Sequence, residues 1–253
     1  MPTSIISSNP TFTKPIPKTE DYLNVSEMFS DTIQGEGIAI GQPAAFLRLQ
    51  SCTMACHWCD TQEVWRFGNP YTFDELFELM DQADLPRKLF EGQHLVLTGG
   101  SPLLQQDKLI KFLNRFIEIY GFKPFIEIEN ECTLMPHQGM VDLVDLWNNS
   151  PKLKGSGNAD FIRYQPHILH YLHTLPNSWF KFVIANDEDW RQIQDDFINE
   201  DLIRKEQVIL MPLGATRVEL FSNREKVVEI AVRENVRYTT REHVVIWDKK
   251  TGI

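Results

Sequence analysis

Six short apolar runs recur along the chain, at 44–50 (AAFLRLQ), 94–99 (HLVLTG), 124–129 (PFIEIE), 144–150 (VDLWNNS), 180–185 (FKFVIA) and 207–212 (QVILMP). Each has the length and character of a buried strand. Helical patterns lie between them. The segment FDELFELMDQA starts at Phe73 behind Thr72, with Glu75 placed to complete a capping box. Residues 102–121 carry Pro102 in the first turn and Gly121 just past the end. Leu103, Leu109, Phe112, Leu113, Phe116 and Ile117 give that segment one apolar face. Further helices are expected from Asp187 and from Thr216. Strands alternating with helices imply parallel βαβ units. Six such strands are too few for a closed eight-fold barrel. The predicted fold is therefore α/β, an open, partial parallel β/α barrel.

The 253 residues allow one large domain or two small ones, and 42% hydrophobic with 24% charged residues is ordinary for a globular protein. No second core, repeat or later linker is visible, so residues 23–253 are expected to form one domain. Residues 1–22 are rich in Ser, Thr and Pro and are expected to be a loose N-terminal extension. They lack the basic start and apolar core of a signal peptide. No segment is long and apolar enough to span a bilayer. A cytoplasmic location and no membrane partner follow as expectations. The net charge of -10 argues against nucleic acid as a partner. Four cysteines without an export signal point to metal binding or catalysis rather than a disulfide framework.

Three of those cysteines, Cys52, Cys56 and Cys59, fall in the stretch SCTMACHWCDT at 51–61, directly after the first apolar run. The stretch LTGG at 97–100 follows the second run, so both loops belong on the C-terminal rim of the sheet. Tetrahedral zinc usually draws on two separated ligand pairs. Three close thiolates suit a four-iron cluster with one iron left open to a small molecule. Structural zinc and a disulfide remain as alternatives. Other residues have bland readings. The glycines of DTIQGEG at 31–37 fit a tight turn, Arg48 within an apolar strand fits a rim salt bridge, and Thr61 fits a helix cap. His167, His170 and His173 lie at helical spacing, which fits a partly exposed amphipathic helix better than a metal site.

Cys-x-x-x-Cys-x-aromatic-Cys, with Trp58 before the third cysteine, resembles the signature of the radical S-adenosylmethionine (SAM) enzymes. Within them the chain is similar to the 7-carboxy-7-deazaguanine synthases. The matching pieces are 27–37 (EMFSDTIQGEG), 45–61 (AFLRLQSCTMACHWCDT), 97–100 (LTGG), 150–153 (SPKL), 181–184 (KFVI) and 211–214 (MPLG). The resemblance implies a lyase of 7-deazapurine (queuosine-type) biosynthesis. It converts 6-carboxy-5,6,7,8-tetrahydropterin to 7-carboxy-7-deazaguanine with loss of ammonia. It also implies a [4Fe-4S] cluster, SAM, Mg²⁺, an electron donor such as flavodoxin or ferredoxin, and a homodimer. A same-scaffold alternative is a radical SAM activase acting on a partner protein. A cluster or zinc module used only for binding is the alternative from another class.

The resemblance also implies roles at numbered positions. Cys52, Cys56 and Cys59 hold the cluster. Trp58, Cys59, Asp60, Gly100, Ser150, Pro151 and Lys152 lie at SAM. Ile33, Gln34, Gly35, Arg48 and Thr98 lie at the pterin, with Arg48 toward its carboxylate, and Thr61 ligates Mg²⁺. Two departures stand out. Many radical SAM enzymes carry Glu after the two glycines, where it holds the SAM amino group, but this chain has Ser101. The family tends to a Thr/Asn/Gly-rich strand end where this chain has Glu129, Asn130, Glu131 and Cys132. Cys132 reads as a small core cysteine. The C-terminal segment, RYTTREHVVIWDKKTGI, matches only loosely.

Overall fold

A computed structural model describes residues 2–9, 13–250 and 252. Its strands are β1 (Thr3–Ile6), β2 (Tyr22–Ile33), β3 (Pro43–Leu49), β4 (Asn69–Thr72), β5 (His94–Gly99), β6 (Phe125–Asn130), β7 (Leu146–Asn149), β8 (Ser178–Ile184), β9 (Val208–Pro212) and β10 (Arg237–Tyr238). The α-helices are α1 (Gln62–Trp65), α2 (Phe73–Gln82), α3 (Leu85–Phe90), α4 (Gln106–Tyr120), α5 (Gln138–Leu143), α6 (Asp160–Arg163), α7 (Pro166–Thr174), α8 (Asp187–Ile193), α9 (Arg217–Glu234) and α10 (Glu242–Trp247).

The strands form one sheet in the order β1-β2-β3-β5-β6-β7-β8-β9-β10, with β4 attached to β2. From β3 through β10 every neighbouring pair is parallel. β1, β3 and β4 each run antiparallel to β2. No pairing joins β10 back to the β1–β4 side among the described residues, so the barrel is open. All six expected strands are present in parallel order.

Strand side chains alternate between two faces. In β3, Ala45, Leu47 and Leu49 belong to the large core shared with the helices, as do Leu95 and Leu97 of β5 and Ile126 and Ile128 of β6. The intervening residues line the concave side. Phe46 pairs with Val96 and Arg48 with Thr98 across β3 and β5, and Glu127 and Glu129 alternate with the isoleucines of β6. The concave floor is apolar at one level, where Phe29 stacks on Phe46 at 5.0 Å beside Ala44 and Val96. The next levels are polar. The sheet thus has an oily outer face under helices and a charged inner face that can take a polar ligand.

Local chemistry explains the helix starts. Thr72 and Glu75 form the expected capping box for α2, and Thr216 and Glu219 form another for α9. The segment from Pro102 opens with a short 3-10 turn before α4, which ends on Gly121 at φ 75°. α4 buries Leu109, Phe112, Leu113 and Phe116. Phe112 stacks on Phe77 at 5.0 Å and meets Phe73 edge-on at 5.5 Å.

The sheet's antiparallel part was not expected from the sequence. The matching piece 27–37 lies largely within the twelve-residue strand β2. Its polar and apolar residues both fall on buried positions, which masks the two-residue period. The stretch expected to be a loose extension also contributes. Thr3–Ile6 pairs with β2, Thr3 donates to Asp31 at 2.7 Å, and Lys14 pairs with Glu75 at 2.7 Å. Backbone pairing along an exposed edge needs little apolar content. Residues 1 and 10–12 of that stretch lie outside the described residues.

Phe112→Ala should lower unfolding stability by about 3–5 kcal/mol, because it removes the ring at the centre of the α2–α4 aromatic cluster. Urea denaturation followed by circular dichroism measures it, and a loss below about 1 kcal/mol would contradict this packing.

Candidate active site

The cysteine loop starts where β3 ends. Ser51 takes φ 80°, which turns the chain sharply away from the strand direction. Its N–H donates to the Trp65 carbonyl at 2.9 Å, and its carbonyl accepts from Ser101 N–H at 2.9 Å. The loop is thereby tied to α1 on one side and to the TGG turn after β5 on the other. Gly100 sits where a Cβ would come within 2.3 Å of Cys52 Cβ, so only glycine lets the two loops approach.

Each thiol has a hydrogen-bond donor. The Met54 N–H reaches Cys52 Sγ at 3.3 Å, Asn158 Nδ2 reaches Cys56 Sγ at 3.2 Å and Trp65 Nε1 reaches Cys59 Sγ at 3.4 Å. All four cysteines of the chain are free. Burial raises the Cys52 and Cys56 thiols above the ordinary range despite these donors. Among the described residues, no three His, Cys, Asp or Glu side chains converge as a single metal ion would require. A four-iron cluster makes a different demand, because each cysteine binds its own iron. Three thiols, each with a donor to its sulfur and with open space beside them, fit such a cluster.

The three cysteines open onto a cavity of about 250 Å³ on the concave side. Most of the residues predicted for the site line it: Ile33, Gln34, Gly35, Arg48, Trp58, Asp60, Thr61, Gly100, Ser150 and Lys152. Thr98 and Pro151 do not. Thr98 is buried and donates its hydroxyl to Glu129 Oε2 at 2.6 Å. Arg48 lines the cavity and also makes the rim salt bridge, with Nε donating to Glu27 Oε1 at 2.7 Å. Gln34 is tied down: its amide donates to Glu127 Oε1 at 2.6 Å and its carbonyl accepts from the Glu36 N–H at 3.2 Å. Thr61 precedes α1 but makes no side-chain cap; its hydroxyl has only a long contact, 3.9 Å, with Cys59 Sγ.

Several residues of this wall were missed by sequence reasoning. Glu36 pairs with Lys181 of β8 and with Arg241 Nε at 2.8 Å. Arg241 also pairs with Asp60 of the cysteine loop and donates to the Gly214 carbonyl at 2.9 Å. Burial alone would raise the Glu36 carboxyl, but Lys181, Arg241 and His243 outweigh it and hold it well below the usual carboxylate range. Asp60 is lowered likewise, with Arg241 overcoming the effect of burial. Gly35 accepts from Glu242 N–H at 2.8 Å, and a Cβ there would meet His243 Nδ1 at 2.0 Å. The glycine of the GEG turn therefore admits the C-terminal segment, which matched the family only loosely. Asn158, the donor to Cys56, carried no sequence signal beyond a Gly/Ser/Asn-rich loop.

The two departures occupy neighbouring space. Ser101 is buried, its oxygen accepts from Thr53 N–H at 2.9 Å, and its hydroxyl donates to Cys52 Sγ at 3.6 Å. It braces the cysteine loop and does not line the cavity. Glu131 does line it, with Oε1 at 3.2 Å from Thr53 Oγ1 and accepting from Thr133 Oγ1 at 2.6 Å. Cys132 is fully buried in the main core at φ 68°, and burial pushes its thiol well up. The three histidines lie on or beside the exposed side of α7, which buries Ile168, Leu169 and Leu172.

Comparison with known proteins agrees with this geometry. Residues 33–129 match the family described as a 4Fe-4S single cluster domain. The 7-carboxy-7-deazaguanine synthase of Pyrobaculum aerophilum is 31% identical, over 91% of this chain and 97% of that protein. The enzyme of the same name from Halobacterium salinarum is 28% identical, over 89% of this chain and 91% of that one. The crystal structure of QueE from Escherichia coli superposes with a TM-score of 0.63 at 20% identity, covering 90% of this chain and 100% of that one. That likeness establishes the open parallel α/β barrel.

Glu36→Gln should destabilise the fold by about 3–5 kcal/mol, because it leaves Lys181 and Arg241 buried without their shared partner. The depressed Glu36 carboxyl contributes stability above the unfolded carboxylate pKa of about 4.3, and that contribution is lost as pH falls through the lower folded value. Urea unfolding against pH should therefore show a shallower acid-side fall in the variant. An unchanged acid limb would mean that other carboxylates set it.

Proposed function

The chain belongs to the 7-carboxy-7-deazaguanine synthase family, and on that footing we propose that it is a radical SAM lyase converting 6-carboxy-5,6,7,8-tetrahydropterin to 7-carboxy-7-deazaguanine with loss of ammonia, in 7-deazapurine (queuosine-type) biosynthesis. The observation that carries this reading is a single one. Three thiols, each with a sulfur-directed donor, share one cavity with the GEG turn, Arg48 and Thr61.

Cys52, Cys56 and Cys59 would hold the cluster, and Trp58, Asp60, Gly100, Ser150 and Lys152 would surround SAM. When bound, the cluster and SAM supply the radical chemistry that takes a hydrogen atom from the pterin. The chain's own residues position and enclose. Arg48 keeps guanidinium N–H groups beyond the Nε used by Glu27, and those suit the substrate carboxylate. Thr61 offers a hydroxyl whose one contact is the weak 3.9 Å bond to Cys59 Sγ, a hard-oxygen ligand in keeping with the light protein grip that Mg²⁺ needs. Glu129 lines the cavity with only one oxygen engaged by Thr98, so it can accept from the donor edge of a pterin. Gln34 would act through Glu127 and the turn rather than as a free amide. Thr98 and Pro151 would support the wall from behind. The ionic cluster at Glu36 braces one wall of the cavity, which helps hold bound ligands in position for radical chemistry.

Further parts of the reading rest on the family. They are a one-electron donor such as flavodoxin or ferredoxin, a homodimer, a cytoplasmic location, and residues 23–253 as one domain. No helix among the described residues is long and apolar enough to cross a membrane. The outer side of α9 exposes Val218, Phe221, Val228 and Val232, an apolar stripe suited to a second copy.

Anaerobic reconstitution with iron and sulfide, then reductant, SAM, Mg²⁺ and 6-carboxytetrahydropterin, should yield 7-carboxy-7-deazaguanine by mass spectrometry. Cys56→Ala should abolish it. SAM cleavage with the pterin untouched would move the assignment to a protein-directed activase. Thr61→Ala should raise the Mg²⁺ concentration for half-maximal rate about tenfold or more, as expected for loss of one ligand oxygen. An unchanged Mg²⁺ dependence would remove Thr61 from the metal site.

A further inference from the structure

Three of the six acids that line the cavity are paired with cations. Glu27 pairs with Arg48, Glu36 with Lys181 and Arg241, and Asp60 with Arg241. Glu131 differs. It is only 5% exposed, and it makes no ion pair among the described residues. Its Oε1 has two threonine hydroxyls, whereas its Oε2 is buried without any hydrogen-bond partner. A carboxylate held out of water with one oxygen unanswered is costly, and the cost is relieved when a cation arrives with donors.

The position of Glu131 limits which cation that is. Thr53 bridges it to the TGG turn: Thr53 Oγ1 lies 3.2 Å from Glu131 Oε1 and 3.0 Å from Ser101 Oγ, and Ser101 in turn touches Cys52. The carboxylate therefore stands beside the first cysteine, at the end of the cavity where the cluster loop and the TGG turn meet. Both organic ligands in the proposed reaction carry a carboxylate, and the pterin has no ammonium group to offset it. SAM carries an ammonium group on its methionine end.

We propose that Glu131 binds the α-ammonium of SAM, delivering from the loop after β6 a carboxylate to the place beside Ser101. The inference rests on the reading of the chain as a SAM-binding enzyme and assigns a recognition residue within it. Thr53 and Thr133 fix one oxygen of Glu131 and so aim the other. Ser101 serves the same arrangement indirectly, by holding Thr53 and the cysteine loop in place.

The test is equilibrium binding to the cluster-loaded protein under anaerobic conditions, with three probes. These are S-adenosylhomocysteine, its deaminated analogue, and 5′-methylthioadenosine, which lacks the amino-acid end. Glu131→Gln keeps the size and an acceptor for the threonines but loses the charge. It should weaken S-adenosylhomocysteine about ten- to a hundredfold, the range for a lost charge-assisted hydrogen bond. It should leave 5′-methylthioadenosine unchanged, and Glu131→Asp should restore part of the loss. The wild-type preference for S-adenosylhomocysteine over its deaminated analogue should shrink in the variant, a coupling that a purely structural role would not produce. Equal weakening of all three probes, no weakening of any, or a change confined to the Mg²⁺ requirement overturns the proposal. Should Glu131→Gln fail to load the cluster, the wild-type protein alone decides: binding the deaminated analogue as tightly as the parent overturns it. Wild-type protein that binds no adenosyl ligand overturns the SAM reading itself, whereas normal wild-type binding with an indifferent variant defeats only the role of Glu131.

Discussion

The buried charge cluster centred on Glu36 ties together four parts of the chain that are remote in sequence. Its partners are Lys181 on β8, Arg241 before α10 and, through Arg241, Asp60 in the cysteine loop. Charges are expensive to bury, and this cluster is tolerated because each member meets an opposite charge or a backbone acceptor. Its effect is geometric. The GEG turn, the cysteine loop and the C-terminal segment must all be in place for any of these charges to be satisfied. Forming the cavity wall and completing the fold are therefore coupled, and Gly35 is required by the close approach of His243 that follows.

The division of the sheet into two faces makes such a cavity possible. Every second residue of the parallel strands packs under helices, and this face carries the stability. The alternate residues are released from that duty. On β6 this leaves Glu127 and Glu129, on β3 Arg48 and on β8 Lys181, all directed to the concave side. Glu127 is fully buried and is answered by Gln34, Asn148 and His94. It forms a polar floor below the open part of the cavity. Arg48, Glu129 and Lys181 thus reach the cavity from rigid strands, which suits chemistry that depends on placement.

The cysteine loop, by contrast, carries its thiols on an irregular segment. It is compensated by hydrogen bonds from three directions: α1 through Trp65, the TGG turn through Ser101, and the loop after β7 through Asn158. The donors at the sulfurs do two things. They hold the thiols at the cavity edge, and they are placed to stabilise negative charge on thiolate ligands, which sets how readily a cluster there accepts an electron.

The sequence by itself determined the parallel core strands, the capped helices and the cysteine loop on the shared rim. Those features rest on local periodicity and spacing, which are written along the chain. The large share of cavity residues named from motifs followed from the same compactness, since the motif residues sit at or just beyond strand ends. Only the tertiary structure decided the rest. β2 escaped detection because both of its faces are covered, and the edge strand β1 because backbone pairing needs no apolar signature. Arg241, Lys181 and Glu36 are unremarkable charges until the fold brings them together across 205 and 145 positions of chain. Ser101 and Glu131 exchange meaning in the same way. A serine beside the glycines reads as a lost carboxylate, while in space a neighbouring strand end sets one down next to it. Contacts between distant residues depend on how strands stack, and no local pattern encodes that.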